Sequence, residues 1–336
     1  MTTTILPEGY APELDTRETE MAIKELKDYF ERELADVLNL TRVSAPLFVL
    51  KDSGLNDNLN GVERPVAFDL LEQPDKTCEV VQSLAKWKRV ALKRYGFVPG
   101  EGLYTDMNAI RRDEYTDNLH SLYVDQWDWE KVILKEERTS EVLKETVREI
   151  YMVLRNAQRF MARKYHYITC ELPKDITFLT SQELEDAYPE LTSKERELAA
   201  VKKYGAVFIS QIGGKLKSGE IHDGRAPDYD DWSLNGDIVL YYPVLDCAFE
   251  ISSMGIRVDE EALKAQCRER ECEERLEKPF CRMILNGEVP YTIGGGIGQS
   301  RLCMFMLKKA HIGEVQASCW PEETMEICEN AGIALL

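Results

Sequence analysis

Apolar residues recur along this chain with two distinct periods, and where each period holds marks out the elements. Ile23, Leu26, Phe30, Leu34 and Val37 fall three and four apart with charged residues between them, so the spacing predicts a helix beginning near Thr16. The same period predicts helices over 83–95 and 140–164. In the second, Leu143, Val147, Ile150, Leu154, Ala157 and Met161 share a face, and Glu141 stands near the positive end of the helix dipole. Short β-branched or aromatic runs bounded by Gly, Pro or Asp predict strands over 43–49 (interrupted by Pro46), 102–111, 121–130, 206–213, 237–242 and 249–258. The runs 102–111 and 121–130 are joined by about nine residues, too few for a crossover helix, so they pair antiparallel. The expectation is an α+β fold, an antiparallel sheet flanked by helices. With no internal repeat, low-complexity tract or Gly/Ser linker, a single domain is expected over 1–336, with 1–15 an N-terminal extension.

Composition narrows the function classes. The 336 residues are 44% hydrophobic, ample for a core. Sixty acidic against 42 basic side chains leave a net charge of -18, which argues against the general basic surface of a nucleic-acid binder. Nine cysteines with no C-x-x-C pair indicate neither a disulfide framework nor a structural zinc site, and fit a reducing compartment. No signal-like N-terminus occurs and no apolar run approaches about 18 residues. A cytoplasmic protein without a membrane partner is expected. The four histidines lack zinc-enzyme spacing, and no G-x-S-x-G elbow points to a serine hydrolase.

Candidate chemistry sits in a few segments. Period two along 121–130 puts Leu122, Val124, Gln126 and Asp128 on one face and Asp125, Trp127 and Trp129 on the other, so either one face lines a polar cavity or the run is an exposed edge. Arg111, just upstream, is placed to grip a phosphate bidentately or to pair with Asp113 and Glu114 in a turn. In 293–301 a run of glycines lets the backbone approach a ligand and leads into an apolar helix starting near Gly298 or Gln299. It is neither a Walker A loop nor a Rossmann fingerprint. It reads as a nucleotide site with Arg301 on a terminal phosphate, or as a tight strand-to-helix junction. Over 248–257 alternation puts Glu250 and Ser252 on one face. Glu250 then suits Mg²⁺ on nucleotide phosphates, or a structural pair with Arg257. The acid-rich segment 225–233 is a binding loop or a solvated turn.

In order, these segments resemble the three signature motifs of class II aminoacyl-tRNA synthetases: Thr41–Phe48 with Pro46 as the dimer-forming motif 1, 103–130 with Arg111 as motif 2, and Gly294–Arg301 as motif 3. Too few residues precede the first helix for an anticodon-reading OB-fold, so tRNA is not expected as a partner. The longer strings, Leu55–Gly61, Val80–Arg89, Gly100–Thr105, Tyr123–Glu130, Arg225–Trp232, Leu234–Asp237 and Ile293–Arg301, resemble the ammonia-dependent asparagine synthetases, or aspartate–ammonia ligases, built on the same catalytic fold. The 259–286 region, with Cys267, Cys272 and Cys281, carries no recognised motif.

The resemblance implies ATP-dependent synthesis of asparagine from aspartate and free ammonia through β-aspartyl-AMP, with release of AMP and pyrophosphate, by a homodimer. It implies Arg111 on the α-phosphate, Arg301 on the γ-phosphate, Ser121 on the ATP side, and Asp237 and Glu250 toward both ATP and Mg²⁺. Asp57 would accept the α-ammonium of aspartate, and Lys88 and Arg257 would supply positive charge for carboxylates. Gln126, assigned with Asp57 and Arg111 to catalysis, and Ser83, Asp128, Asp230 and Ser253 complete the polar shell. Asp57 or Asp230 would take the proton of ammonium. Thr2 stands where a glutaminase needs an N-terminal cysteine, which leaves free ammonia as the nitrogen source. A tRNA-binding synthetase fragment, a non-catalytic synthetase-like subunit and an amide ligase for another acid are the competing readings.

Overall fold

Asp15 starts the first helix, α1 (Thr16–Leu38), with a reciprocal cap: its carboxylate accepts from the Glu18 amide, and the Glu18 carboxylate accepts from the Asp15 amide. Ile23, Leu26, Phe30 and Leu34 are buried as their spacing requires, whereas Val37 is half-buried and Leu38 closes the stripe instead. The computed structural model describes residues 4–57, 59 and 63–336, so Asn58, Asn60 and Gly61 of the string 55–61 lie outside the described residues, as do Met1–Thr3.

The strands follow in chain order: β1 (Leu40–Arg42), β2 (Phe48–Leu50), β3 (Ala67–Leu70), β4 (Gln73–Val80), then after helix α2 (Ala85–Tyr95) the long pair β5 (Gly102–Ile110) and β6 (Tyr123–Val132). Helix α3 (Ser140–Lys164) has the predicted bounds, capped by the Thr139 hydroxyl accepting from Val142 N. Strand β7 (Thr177–Thr180), helices α4 (Ser181–Ala187) and α5 (Ser193–Tyr204), and strands β8 (Ala206–Ser210), β9 (Asp230–Tyr242) and β10 (Cys247–Arg257) follow. Helices α6 (Glu260–Glu269) and α7 (Pro279–Leu285) precede β11 (Thr292–Gly298), which runs directly into α8 (Gln299–Met306).

Among the described residues eight strands form one sheet in the order β1-β5-β6-β11-β10-β9-β8-β7. The central pairings are antiparallel as predicted, but both edges are parallel: β1 on β5 and β7 on β8. Of the expected strand over 43–49 only 48–49 is strand, and a separate short strand precedes it. Leu40–Arg42 joins the large sheet, and Phe48–Leu50 joins a separate sheet, β2-β4-β3, that the sequence pattern does not announce because 73–77 is exposed and does not alternate. Strand β9 starts seven residues earlier than expected, at Asp230, because its polar first half pairs with β10 as far as Arg257. Strand β6 lies between β5 and β11, which disposes of the exposed-edge reading.

Helices α1 and α3 cover one face of this sheet. Tyr29 stacks on Phe160 at 4.2 Å between ring centres, and Phe30 meets Trp127 at 4.9 Å. Trp127 and Trp129, on the helix-covered face of β6, are fully buried. Emptying either position costs about 3–5 kcal/mol. The opposite face of β6 presents Gln126, Asp128 and Glu130, and there the functional site lies.

Candidate active site

The sheet face away from α1 and α3 holds a cavity of about 490 Å³. From β6 come Gln126 and Asp128, from the end of β5 Arg111, and from α2 Lys88. Asp57 and Ser83 enter from the segments around the small sheet, Asp230 from the start of β9, and Glu250, Ser253 and Arg257 from β10. Ser121 and Arg301 stand at the other end. The cavity is lined by every sequence-predicted site residue except Asp237, which pairs across the strands with the lining residue Ser253.

The glycine strand earns its composition in an unexpected way. An ideal Cβ on Gly294 would fall 2.0 Å from Glu130 Oε2, and one on Gly296 would fall 2.3 Å from Gln126 Oε1. The glycines therefore make room for polar side chains of β6, the strand they pair with, and for Arg257 Nη2, 2.7 Å from the Gly294 position. Gly295 contributes its carbonyl, which accepts from Lys88 Nζ at 3.2 Å.

The two cations expected to meet substrate carboxylates are already engaged by acids. Lys88 binds Asp128, lies 3.5 Å from Glu130, and donates to Trp129 O at 2.8 Å. Arg257 grips Glu130 through Nε at 2.9 Å and Nη2 at 2.7 Å, and binds Asp230 through Nη1. Two cations thus share three buried carboxylates, so their charge is not surplus. Burial pushes the carboxyls of Asp128 and Asp230 up. It works the same way on Glu130, but Arg257 and Lys88 outweigh it and hold that group below the ordinary range. Glu130 was not singled out from sequence, although it continues the period-two row of Gln126 and Asp128. Arg257 pairs with Glu130 and Asp230 rather than Glu250, which removes the structural-pair reading of Glu250.

Arg111 does not turn back on its neighbours. Asp113 is taken by Arg64 at 2.5 Å, and Arg111 Nε is buried without a hydrogen-bond partner among the described residues. Burial is the main force raising Asp57 to about 6, with Asp228 adding to it and Lys86 and Arg111 opposing. Ser83 Oγ accepts from Ala85 N at 3.1 Å at the start of α2, and Ser121 Oγ donates to Ser318 Oγ at 2.7 Å.

At the far end, Asp125 holds the start of α8: its Oδ1 accepts from Ser300 N at 3.0 Å and its Oδ2 from Ser300 Oγ at 2.8 Å. Arg301, in that first turn, donates from Nη1 to Glu250 O at 2.9 Å. Alternation over β10 is broken by a register shift between Glu250 and Ser252, so Ser253, and not Ser252 as expected, continues the cavity-facing row with Glu250. Asp237 sits opposite Ser253, with Oδ2 bound by Arg225 and Oδ1 buried without a hydrogen-bond partner among the described residues. Burial raises it to about 6, and the charge of Glu250 adds to the rise. Arg225 comes from the acid-rich loop, which lines the cavity and is no solvated turn. Lys194, at the start of α5, also reaches the rim; no local pattern in 181–204 marks it, because only the packing of a distant helix brings it there.

The orphaned Asp237 oxygen and the carboxylate of Glu250 suit a hard cation. Among the described residues no group of three or more His, Cys, Asp or Glu could hold one alone. Oxygens of a phosphate ligand would have to complete its shell, as is usual for Mg²⁺.

Comparison with known proteins supplies the family. The family model for aspartate-ammonia ligase matches residues 17–332. An aspartate–ammonia ligase of Clostridium perfringens is 66% identical over 331 residues, 98% of each chain, and one of Ruminiclostridium cellulolyticum is 64% identical over 336 residues, 100% of each. In fold the chain is similar to asparaginyl-tRNA synthetase from Pyrococcus horikoshii, solved with asparaginyl-adenylate, at a TM-score of 0.65 and 14% identity over 90% of this chain and 70% of that one. An aspartyl-tRNA synthetase from Entamoeba histolytica matches at 0.59 and 15% over 89% and 58%. The class II synthetase-like fold expected from the motifs is thereby borne out.

Proposed function

This chain belongs to the aspartate–ammonia ligase family, and from that premise we propose that it makes asparagine in two steps through β-aspartyl-AMP. In the first, a β-carboxylate oxygen of aspartate attacks the α-phosphorus of ATP, the bond to the β-phosphate oxygen breaks, and pyrophosphate leaves. In the second, the ammonia lone pair attacks the carbonyl carbon, the bond to the phosphate oxygen breaks, AMP leaves, and a proton is lost from nitrogen. The observation that carries this reading is the cavity-facing Arg111, whose buried Nε has no hydrogen-bond partner among the described residues. A guanidinium in that state awaits an anion that develops charge during reaction, as the α-phosphate does. The aminoacyl-adenylate bound by the Pyrococcus horikoshii synthetase, a mixed anhydride of the same type on the same fold, supports it further.

Roles follow along the cavity. Arg301 takes the γ-phosphate and keeps pyrophosphate in line, Ser121 lies on the ATP side, and Asp237 and Glu250 would hold Mg²⁺ against the phosphates. That ion would supply charge neutralisation between ATP and the approaching carboxylate. Asp57 receives the α-ammonium of aspartate, and Lys88 and Arg257 serve the substrate carboxylates through the acid-paired cluster that also contains Asp128 and Glu130. Gln126, Ser83 and Ser253 contribute hydrogen bonds. Of the two proton acceptors considered for ammonium, burial raises Asp57 to about 6 and raises Asp230 as well, and a raised carboxylate is the better base for ammonium. The homodimeric assembly and the absence of tRNA as a partner are carried by the resemblance and the -18 charge. No described helix is long and apolar enough to cross a membrane.

The test is product identity: purified protein given aspartate, ammonium, ATP and Mg²⁺ should form asparagine and AMP one for one, and exchange pyrophosphate into ATP only when aspartate is present. Formation of ADP, or AMP release without aspartate, ends the two-step reading.

A further inference from the structure

Gln316 lines the far end of the cavity with 5% of its surface exposed, and its amide is held by acceptors on one side only. Nε2 donates to Asp125 Oδ1 at 3.3 Å and to Ser300 Oγ at 3.1 Å, which spends both of its hydrogens. Neither bond survives turning the amide over. Asp125 is ion-paired through Oδ2 with Lys27 Nζ, from α1, at 3.2 Å, so it offers an amide oxygen no proton, and the Ser300 hydroxyl already donates to the same Oδ2 at 2.8 Å. Oε1 of Gln316 therefore points away from both, and it is buried without a hydrogen-bond partner among the described residues. A buried acceptor left unmet costs stability until a donor reaches it.

We propose that Gln316 reads the base of the nucleotide: its Oε1 accepts from the 6-amino group of adenine, and Asp125 is the positioning residue that sets the amide that way round. The inference rests on the ATP reading above and adds to it how the base is chosen. The missing partner must be a donor, which excludes the phosphates, whose oxygens accept. The ammonium of aspartate is given to Asp57. The surroundings suit a planar base. Leu119 and Ile312 line the same cavity, and Ile312 N donates to Asn118 O at 2.8 Å, so the two apolar side chains are carried on adjoining backbone. Ser121, already placed on the ATP side, donates to Ser318 Oγ, two residues beyond Gln316, at 2.7 Å. Guanine and hypoxanthine carry an oxygen where adenine carries its amino group, and that oxygen would meet Oε1 acceptor to acceptor.

The experiment compares kcat/KM for ATP, inosine triphosphate, purine riboside triphosphate (which lacks the 6-amino group) and 2′-deoxy-ATP in the wild type, Gln316→Met and Asp125→Asn, with Tm and KM for aspartate recorded for each. The wild type should prefer ATP to both base analogues by about tenfold or more, while 2′-deoxy-ATP follows ATP. Gln316→Met should bring ATP to within about twofold of purine riboside triphosphate, through KM for the nucleotide and with KM for aspartate unmoved. Asp125→Asn gives Oε1 a donor and frees Nε2 for an oxygen of the base, so its preference should move from ATP toward inosine triphosphate. A merely structural Asp125 would lower all four nucleotides alike. Equal use of ATP and purine riboside triphosphate by the wild type, an unchanged preference in Gln316→Met, or equal losses with every nucleotide in Asp125→Asn overturns the proposal. A loss with 2′-deoxy-ATP in place of the base analogues gives the acceptor to the ribose and overturns it too. If Gln316→Met does not fold, the wild type and Asp125→Asn decide alone. Should the wild type form no asparagine, the functional reading fails separately, and calorimetric binding of the same nucleotides then decides this inference by the same preferences or their absence.

Discussion

Glu130 and Gly294 face each other across two hydrogen-bonded strands, and the carboxylate of one fills the space where a side chain of the other would stand. The Glu130 carboxylate also accepts from Thr292 Oγ1 at 2.6 Å and from Arg257, so it has no free direction in which to retreat. Gly294→Ala should therefore break the Glu130–Arg257 pair, costing about 3–5 kcal/mol, and abolish asparagine formation. Thermal melting and an activity assay check this; wild-type values in both would show that the glycine is dispensable.

Asp57 couples stability to function. Its native value of about 6 lies above the ordinary aspartate value, so it favours folding below about pH 4, and that contribution is lost as pH rises through 6. Asp57→Asn should consequently melt higher than the wild type at pH 8, by about 1–3 kcal/mol in stability, with the difference vanishing near pH 4. Aspartate-dependent turnover should be lost. A variant less stable at pH 8 would contradict the direction of the shift.

Arg111 makes no ion pair with the acids beside it, so truncating it strands none of them. Arg111→Ala should leave Tm within a degree or two of the wild type while lowering aspartate-dependent pyrophosphate exchange by about 10²–10³-fold. Arg111→Lys should restore little, because the planar fork is what a phosphate recognises. Unchanged exchange in Arg111→Ala would withdraw the residue from its role.

Glu250 and Asp237 bear on the metal. Chelation by EDTA should stop AMP formation, and Glu250→Gln should raise the Mg²⁺ concentration for half-maximal activity by about tenfold or more, losing one anionic ligand. Titration of activity against Mg²⁺ reads this directly. An unchanged midpoint would assign the ion to the phosphates alone.

Much of the site was legible because its residues sit in local patterns. Period two put Gln126 and Asp128 on one face of a strand and the two tryptophans on the other, and the structure keeps that division. Where a pattern broke, the reading slipped. A shift in register at Glu250 put Ser253, and not Ser252, on its face, and of the strand expected over 43–49 only 48–49 formed. Lys194 and the Lys86–Asp228 pair had no local signature, since each depends on a helix or loop arriving from elsewhere.

The helices α1, α2 and α3, the antiparallel pair β5–β6 and the identity of the motifs were legible along the chain, because periodicity and turn chemistry act over a few residues. Partnership was settled only in three dimensions. Sequence presented Lys88 and Arg257 as free positive charges and the glycines as a bed for a ligand. Folding set Asp128, Glu130 and Asp230 against those cations and seated β6 side chains over Gly294 and Gly296. The physical reason is that a buried charge takes its meaning from whatever lies within a few ångströms of it. Those neighbours are chosen by strand register between segments far apart in sequence.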